Sequence, residues 1–137
     1  MFKKILVPVD LAHVDSLTKA LAVAADMARH YEAELCYAGV TTSQPSSVAR
    51  TPDEYQQKLE AFAAEHAAGQ HGPECRVYVS HDPVADLDEH ILRAIRDTGA
   101  DLVVMGTHLP HHVDAIMPAN GSKVAAHTQV SVFLVRP

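Results

Sequence analysis

Apolar residues fall in short runs that alternate with longer amphipathic stretches along the whole chain. The first run, Phe2 to Val9, has Ile5-Leu6-Val7 at its centre. Pro8 has no N–H to give a ladder, so strand pairing is expected to finish there. A helix is predicted next, capped by Asp15 or Ser16, with Leu17, Leu21, Ala24, Ala28 and Tyr31 on one face at 3.6-residue spacing. Ala33 to Val40 reads as a second strand, and the Ser/Thr/Pro-rich segment from Thr41 to Thr51 as a surface loop. Pro52-Asp53-Glu54 opens a second helix with Tyr55, Leu59, Phe62 and His66 on one face, ending in the Gly69 to Pro73 punctuation. Cys75 to Ser80 alternates Val77 and Val79 with polar neighbours, as an edge strand would. Asp82-Pro83 then predicts a helix that buries Val84, Leu87, Ile91 and Ile95 and stops at Gly99. Leu102 to Met105 is a buried strand, about Asn120 to His127 a last helix, and Val130 to Val135 a closing strand.

Five strands alternating with four helical segments predict an α/β fold: a doubly wound, five-stranded parallel sheet with helices on both faces. The expected strand order is 3-2-1-4-5, with right-handed crossovers. In such sheets ligands lie beyond the carboxyl ends of the strands, where the winding reverses. With the first and fourth strands central, Asp10 and the loop after Gly106 face one crevice.

That second stretch, Asp101 to Ser122, carries the candidate chemistry. An apolar strand stops at Gly106 and opens into a loop with His108, His111, His112 and two prolines, reaching Asn120-Gly121-Ser122 before a helix. Glycine lets backbone approach a ligand closely, and a helix start offers unpaired N–H groups to an anion.

Composition narrows the field. A chain of 137 residues is expected to be a single domain, 1–137. The net charge of −6 argues against a nucleic-acid or anionic-membrane binder, although ten histidines would offset it below about pH 6.5. No run approaches the ~18 apolar residues of a membrane span. The N-terminal apolar run is too short for a secretory signal, so a cytoplasmic protein is expected. Cys36 and Cys75, without CxxC spacing, read as two buried reduced thiols.

Three blocks, in order, resemble the universal stress protein family. Lys4-Ile5-Leu6-Val7-Pro8-Val9-Asp10 is similar to its opening strand, and Asp101 to His108 to its fourth strand and the start of its nucleotide loop. Ala126 to Arg136 is similar to its last helix-to-strand passage. The resemblance implies a Rossmann-like, adenine nucleotide alpha-hydrolase-like fold. Nucleotide-binding members place adenine near the first-strand aspartate and a valine ending the second strand, which correspond to Asp10 and Val40 here. Their phosphates lie on Gly-x-x-Gly, nine residues, then Gly-Ser or Gly-Thr. Gly106 matches the first glycine; Leu109, Pro118 and Ala119 stand where two glycines and a hydroxyl residue are usual, and Gly121-Ser122 comes two residues late. Pro118 has no N–H and Ala119 no hydroxyl for a phosphate or its metal. The resemblance therefore gives Pro8, Val9, Asp10, Val40, Met105, Gly106, His108, Asn120, Gly121 and Ser122 as candidate ligand residues, for ATP or ADP, with Mg only beside a triphosphate.

The histidine loop with Asp114 suits a transition metal by donor type, but no second cluster has zinc-like spacing, so a polar surface loop is the favoured reading and no metal site is expected. Asp10 has no nucleophile or paired acid nearby in sequence, so it reads as a hydrogen-bond acceptor rather than a catalyst. Three functions follow: a cytoplasmic nucleotide-responsive regulator with at most slow ATP hydrolysis; a nucleotide-independent dimeric interaction module with a degenerate phosphate loop, acting on an unknown protein partner; or an enzyme or metal sensor using the histidines. A homodimer through Val130 to Val135 is expected, because that strand is apolar on both faces and lies at a sheet edge.

Overall fold

The computed structural model describes residues 1–83, 85–107 and 120–137. Along the chain run β1 (Lys4–Pro8), α1 (Thr18–Tyr31), β2 (Glu34–Thr41), α2 (Pro52–His66), β3 (Glu74–Val79), α3 (Leu87–Thr98), β4 (Leu102–Gly106), α4 (Asn120–His127) and β5 (Ser131–Val135). The strands form one parallel sheet in the order β3-β2-β1-β4-β5, the doubly wound arrangement expected from the sequence.

Side chains alternate across each strand, and this divides the core in two. Ile5, Val7, Leu35, Tyr37, Leu102 and Val104 face α1 and α2, meeting Leu21, Ala24 and Leu59. Leu6, Cys36, Ala38, Val103 and Met105 face the other way, onto Ile91, Ala94 and Ile95 of α3 and Val124 of α4. The β1–β4 register is tied at the amino end by Asp101, whose carboxylate accepts the N–H groups of Lys3 (2.9 Å) and Lys4 (3.0 Å).

Several local expectations are corrected. Val14–Leu17 forms a 3-10 turn before α1, and neither Asp15 nor Ser16 caps the helix. The Ser16 hydroxyl donates instead to the His13 carbonyl at 2.8 Å. Asp82 accepts the Ala85 N–H at 3.2 Å, but this closes only a turn. The helix starts at Leu87, after Asp86, whose carboxylate takes the Ser80 hydroxyl at 2.8 Å rather than a helix N–H. Val84 lies outside the described residues. On β3 the buried residue is Tyr78, against α3, while Val79 is 49% exposed beyond the helix cover. Ala63 rather than His66 completes the buried face of α2; His66 is half-buried and stacks on Phe62. Cys75 is half-buried, and Cys36 and Cys75 are both free thiols. Their neighbouring strand positions point them to opposite faces, so they cannot bridge.

Candidate functional site

Strand ends position the candidate residues. Pro8 closes the β1–β2 ladder opposite Ala38, and Val9, buried, adds one more bond by donating its N–H to the Ala38 carbonyl at 2.8 Å. β2 runs three residues further. Its backbone groups alternate sides: Ala38 faces β1, whereas the Thr41 carbonyl faces β3 and accepts the Ser80 N–H at 2.8 Å. Val40 therefore turns its N–H and C=O toward the β1 side, just past where β1 has ended. That step between two strand ends is the floor of a crevice of about 130 Å³ that both Asp10 and Val40 line.

Asp10 forms one wall. Its Oδ1 accepts the Ala12 N–H at 2.9 Å and its Oδ2 pairs with His13 Nδ1 at 2.8 Å. A carboxylate offers about four acceptor positions, so capacity remains for a ligand donor. The opposite wall is the lip formed by Ser46, Ser47 and Val48. Ser46 organises this lip: its Oγ accepts the N–H groups of Val48 and Ala49, both at 3.3 Å, and its own N–H donates to the Ala49 carbonyl at 2.8 Å. The segment expected as a surface loop is thus held in a defined turn.

The back wall is Tyr55, in the first turn of α2. That helix begins at Thr51, whose hydroxyl accepts the Glu54 N–H at 3.1 Å, with Pro52 at the first helical position. Tyr55 is 4% exposed, and its hydroxyl accepts the Leu11 N–H at 3.3 Å. Burial raises its phenol pKa above the usual value. From its helical spacing Tyr55 is expected only as helix core, and nothing in the sequence marks Thr41, Ser46 or Pro83 as site residues, although they also line the crevice. The one local signal was the S-x-x-A and T-x-x-E hydroxyl spacing at Ser46 and Thr51, which marks side-chain-to-backbone turns.

On the other side of β1, the register Ile5–Leu102 carried four residues on sets Val9 opposite Gly106. A β-carbon on Gly106 would lie 3.2 Å from Leu17 Cδ2, so the glycine admits the 3-10 turn close to the strand end. Met105 is buried in the α3–α4 core and is not among the residues that line the crevice. Thr107 donates its N–H to the Val135 carbonyl at 2.9 Å. Gly121 and Ser122 stand in the first turn of α4; Gly121 is buried and Ser122 exposed. His108, Leu109, His111, His112, Asp114, Pro118 and Ala119 and the side chain of Asn120 lie outside the described residues.

A larger cavity, about 660 Å³, opens at the amino end of the sheet between Lys4, Arg29 and Glu74. Two internal pairings cross it. Lys4 Nζ meets Glu74 at 2.8 Å, and the Gln70 amide bonds Leu35 N and Ala33 O as a strand would. No group of three His, Cys, Asp or Glu able to hold a metal occurs among the described residues. No helix among them is long and apolar enough to cross a membrane.

The sequence matches the model of the Universal stress protein family over residues 1–136. The chain belongs to that family. No curated protein matches it closely enough to count as a relative. Among solved structures, a universal stress protein in complex with cAMP is 23% identical, with a TM-score of 0.72 over 98% of this chain and 97% of that one. The universal stress protein UspA from Lactobacillus plantarum is 20% identical, with a TM-score of 0.59 over 98% and 97%. The universal stress protein from Archaeoglobus fulgidus in complex with dAMP is 16% identical, with a TM-score of 0.57 over 96% of each chain. At these identities the likeness is one of fold, and it agrees with the sheet order of this universal stress protein.

Proposed function

We propose that this universal stress protein binds an adenine nucleotide, ATP or ADP, with the base in the crevice between Asp10 and Val40. The carrying observation is that an acceptor-only carboxylate and an outward-facing backbone donor–acceptor pair line one small crevice. Adenine presents a ring nitrogen acceptor beside an amino donor, which complements the N–H and C=O of Val40. Asp10 adds an acceptor for amino protons. The 6-oxo group of guanine offers no such donor. A volume of about 130 Å³ is far below the ~300 Å³ at which drug-sized ligands are enclosed, so one planar ring fits and the sugar lies outside. The phosphates would pass toward Gly106 and the first turn of α4, where the Ser122 hydroxyl and helix N–H groups can serve an anion. Mg would accompany a triphosphate only. The cAMP and dAMP bound by two similar structures are adenine nucleotides, which supports the same reading.

Calorimetric titration with adenosine, ADP, ATP and guanosine tests it. Micromolar binding of the adenine compounds, with guanosine at least tenfold weaker, is the expected result. Asp10→Ala should cost about 1–3 kcal/mol of affinity through loss of a charge-assisted hydrogen bond. Equal affinity for all four compounds, or none for any, would remove the reading.

A second reading, an interaction module that pairs with its own copy, is favoured by one observation. On the edge strand β5, Phe133 is 45% and Leu134 38% exposed.

A further inference from the structure

We infer that Tyr55 determines which base the crevice accepts, an assignment that rests on reading the crevice as an adenine site. Two contacts fix this side chain, and a third bond carries its position on to Asp10. Its ring lies on Gly39 of β2 so closely that a β-carbon there would stand 2.7 Å from Tyr55 Cε1. Its hydroxyl accepts the Leu11 N–H at 3.3 Å. The next residue, Ala12, gives its own N–H to Asp10 Oδ1 at 2.9 Å. The phenol therefore holds the turn that aims the Asp10 carboxylate, and its ring closes the back of the crevice.

The same helix fixes the lip. Glu54 Oε2 accepts the Arg50 N–H at 3.0 Å, and Lys58 Nζ donates to the Val48 carbonyl. Successive turns of α2 thus hold the lip on one side and the Asp10 turn on the other. Neither wall can retreat without disturbing the helix start. A rigid slot of this kind discriminates by size: an unsubstituted 6-amino purine enters, and a purine carrying a bulky group on that nitrogen is turned away at Tyr55. The bare glycine beneath the ring belongs to the device, because any side chain at position 39 would push the phenol into the slot.

The test uses the whole chain with adenosine and N6-benzyladenosine as probes. Wild type should bind adenosine and reject the benzyl compound. Tyr55→Ala and the milder Tyr55→Leu should gain at least about tenfold for N6-benzyladenosine relative to adenosine, in line with the discrimination of hydrophobic pockets. Tyr55→Phe keeps the ring and loses the acceptor. It should still reject the benzyl compound, weaken adenosine several-fold, and speed hydrogen exchange at the Leu11 amide. Unchanged selectivity in the Ala and Leu variants would overturn the inference while leaving adenine binding intact. So would unchanged Leu11 exchange in Tyr55→Phe, which reports on the geometry with no ligand present. Wild type that binds neither probe would remove the adenine reading first, and this assignment with it.

Discussion

Gly121 lies directly beneath Leu134: a β-carbon on the glycine would stand 2.5 Å from Leu134 Cδ2. The contact joins the start of α4 to the edge strand β5. It also gives Gly121 a packing reason to be glycine, separate from any service to a phosphate. Gly121→Ala should therefore destabilise the fold by about 1 kcal/mol, near the low end for overpacking, because the crowded atom is a methyl at the end of a half-exposed side chain. Urea midpoints measure this. Ser122→Ala should leave stability unchanged and lower ATP affinity more than adenosine affinity, which separates the packing role from anion binding.

Gly39 makes the stricter demand. The atom that a β-carbon there would strike belongs to a ring held by α2 and by the Leu11 N–H. Such a ring cannot swing aside as a methyl can. Gly39→Ala should cost about 2–3 kcal/mol, toward the upper end for overpacking, and should exceed the cost of Gly121→Ala. If the two variants lose equal stability, the ring is less constrained than its contacts imply.

The lip of the crevice should respond to acid. Glu54 has a pKa below the usual carboxylate value, chiefly because it accepts the Arg50 N–H and secondarily because of Lys58. A group depressed in the folded state stabilises above its unfolded value, 4.5, and that contribution is lost as pH falls through the folded value. The Arg50 amide should therefore be protected from hydrogen exchange at pH 6 and lose that protection in acid, only at pH values below the 4.5 of a free glutamate. Glu54→Gln should remove most of this dependence. A protection that ignores both acid and substitution would show that Glu54 does not hold the lip.

Alkali should act on the other side of neutrality. Burial pushes the Cys36 thiol up to about 12 from 9.0. A raised acid of this kind contributes its full stability below the unfolded value and loses it as pH rises toward the folded one. Stability should fall above pH 9, by up to about 1.4 kcal/mol per pH unit from this thiol. Tyr78, raised to about 12 by burial and by the neighbouring Asp97, adds to the fall above pH 10. Urea midpoints at pH 8 and 10.5 should differ less in Cys36→Ala than in wild type. An equal difference would place the titration elsewhere.

Why some of this was readable in the sequence, and some not, comes down to range. The strands announced themselves because Ile5-Leu6-Val7 and Leu102 to Met105 are buried on both faces and read as continuous apolar runs. Asp10 could be singled out because it follows β1 at its carboxyl end, whereas Val40 was pointed to by the family resemblance. Tyr55 was not legible as a wall, because its role depends on Gly39, sixteen positions away, having no side chain. The Thr41 to Thr51 segment carries Ser and Thr, which signal a turn but not what the turn covers. The helix start misplaced at Asp82 shows the same limit: a good local cap lost to Asp86 and Ser80, whose bond forms across the β3–α3 connection. Gly121 looked like an anion-binding glycine, and the reason it also serves packing is a leucine on the next strand.

The edge strand supports the last prediction, that two copies pair through β5. In the sheet order β5 has a neighbour on one side only, β4. Its outer N–H and C=O groups have no strand beside them among the described residues, and an apolar edge left so invites pairing with another strand. Val135 and half-buried Val132 are spent on the core, which leaves Phe133 on the α1 side and Leu134 on the α4 side as the apolar surface a partner would cover. A two-fold axis beside the strand would set it antiparallel to its copy and bury both residues twice over. Phe133→Lys and Leu134→Lys should each raise the dimer dissociation constant at least about tenfold, the effect of roughly 1.4 kcal/mol. Neither should much change the urea midpoint of the monomer, because both side chains are already substantially exposed. Val132→Lys is the contrasting control, since it should unfold the chain by placing a charge in the core rather than by parting two copies. Sedimentation equilibrium at micromolar concentration decides the matter: a wild type that stays soluble and monomeric there would end the idea, whatever the variants do.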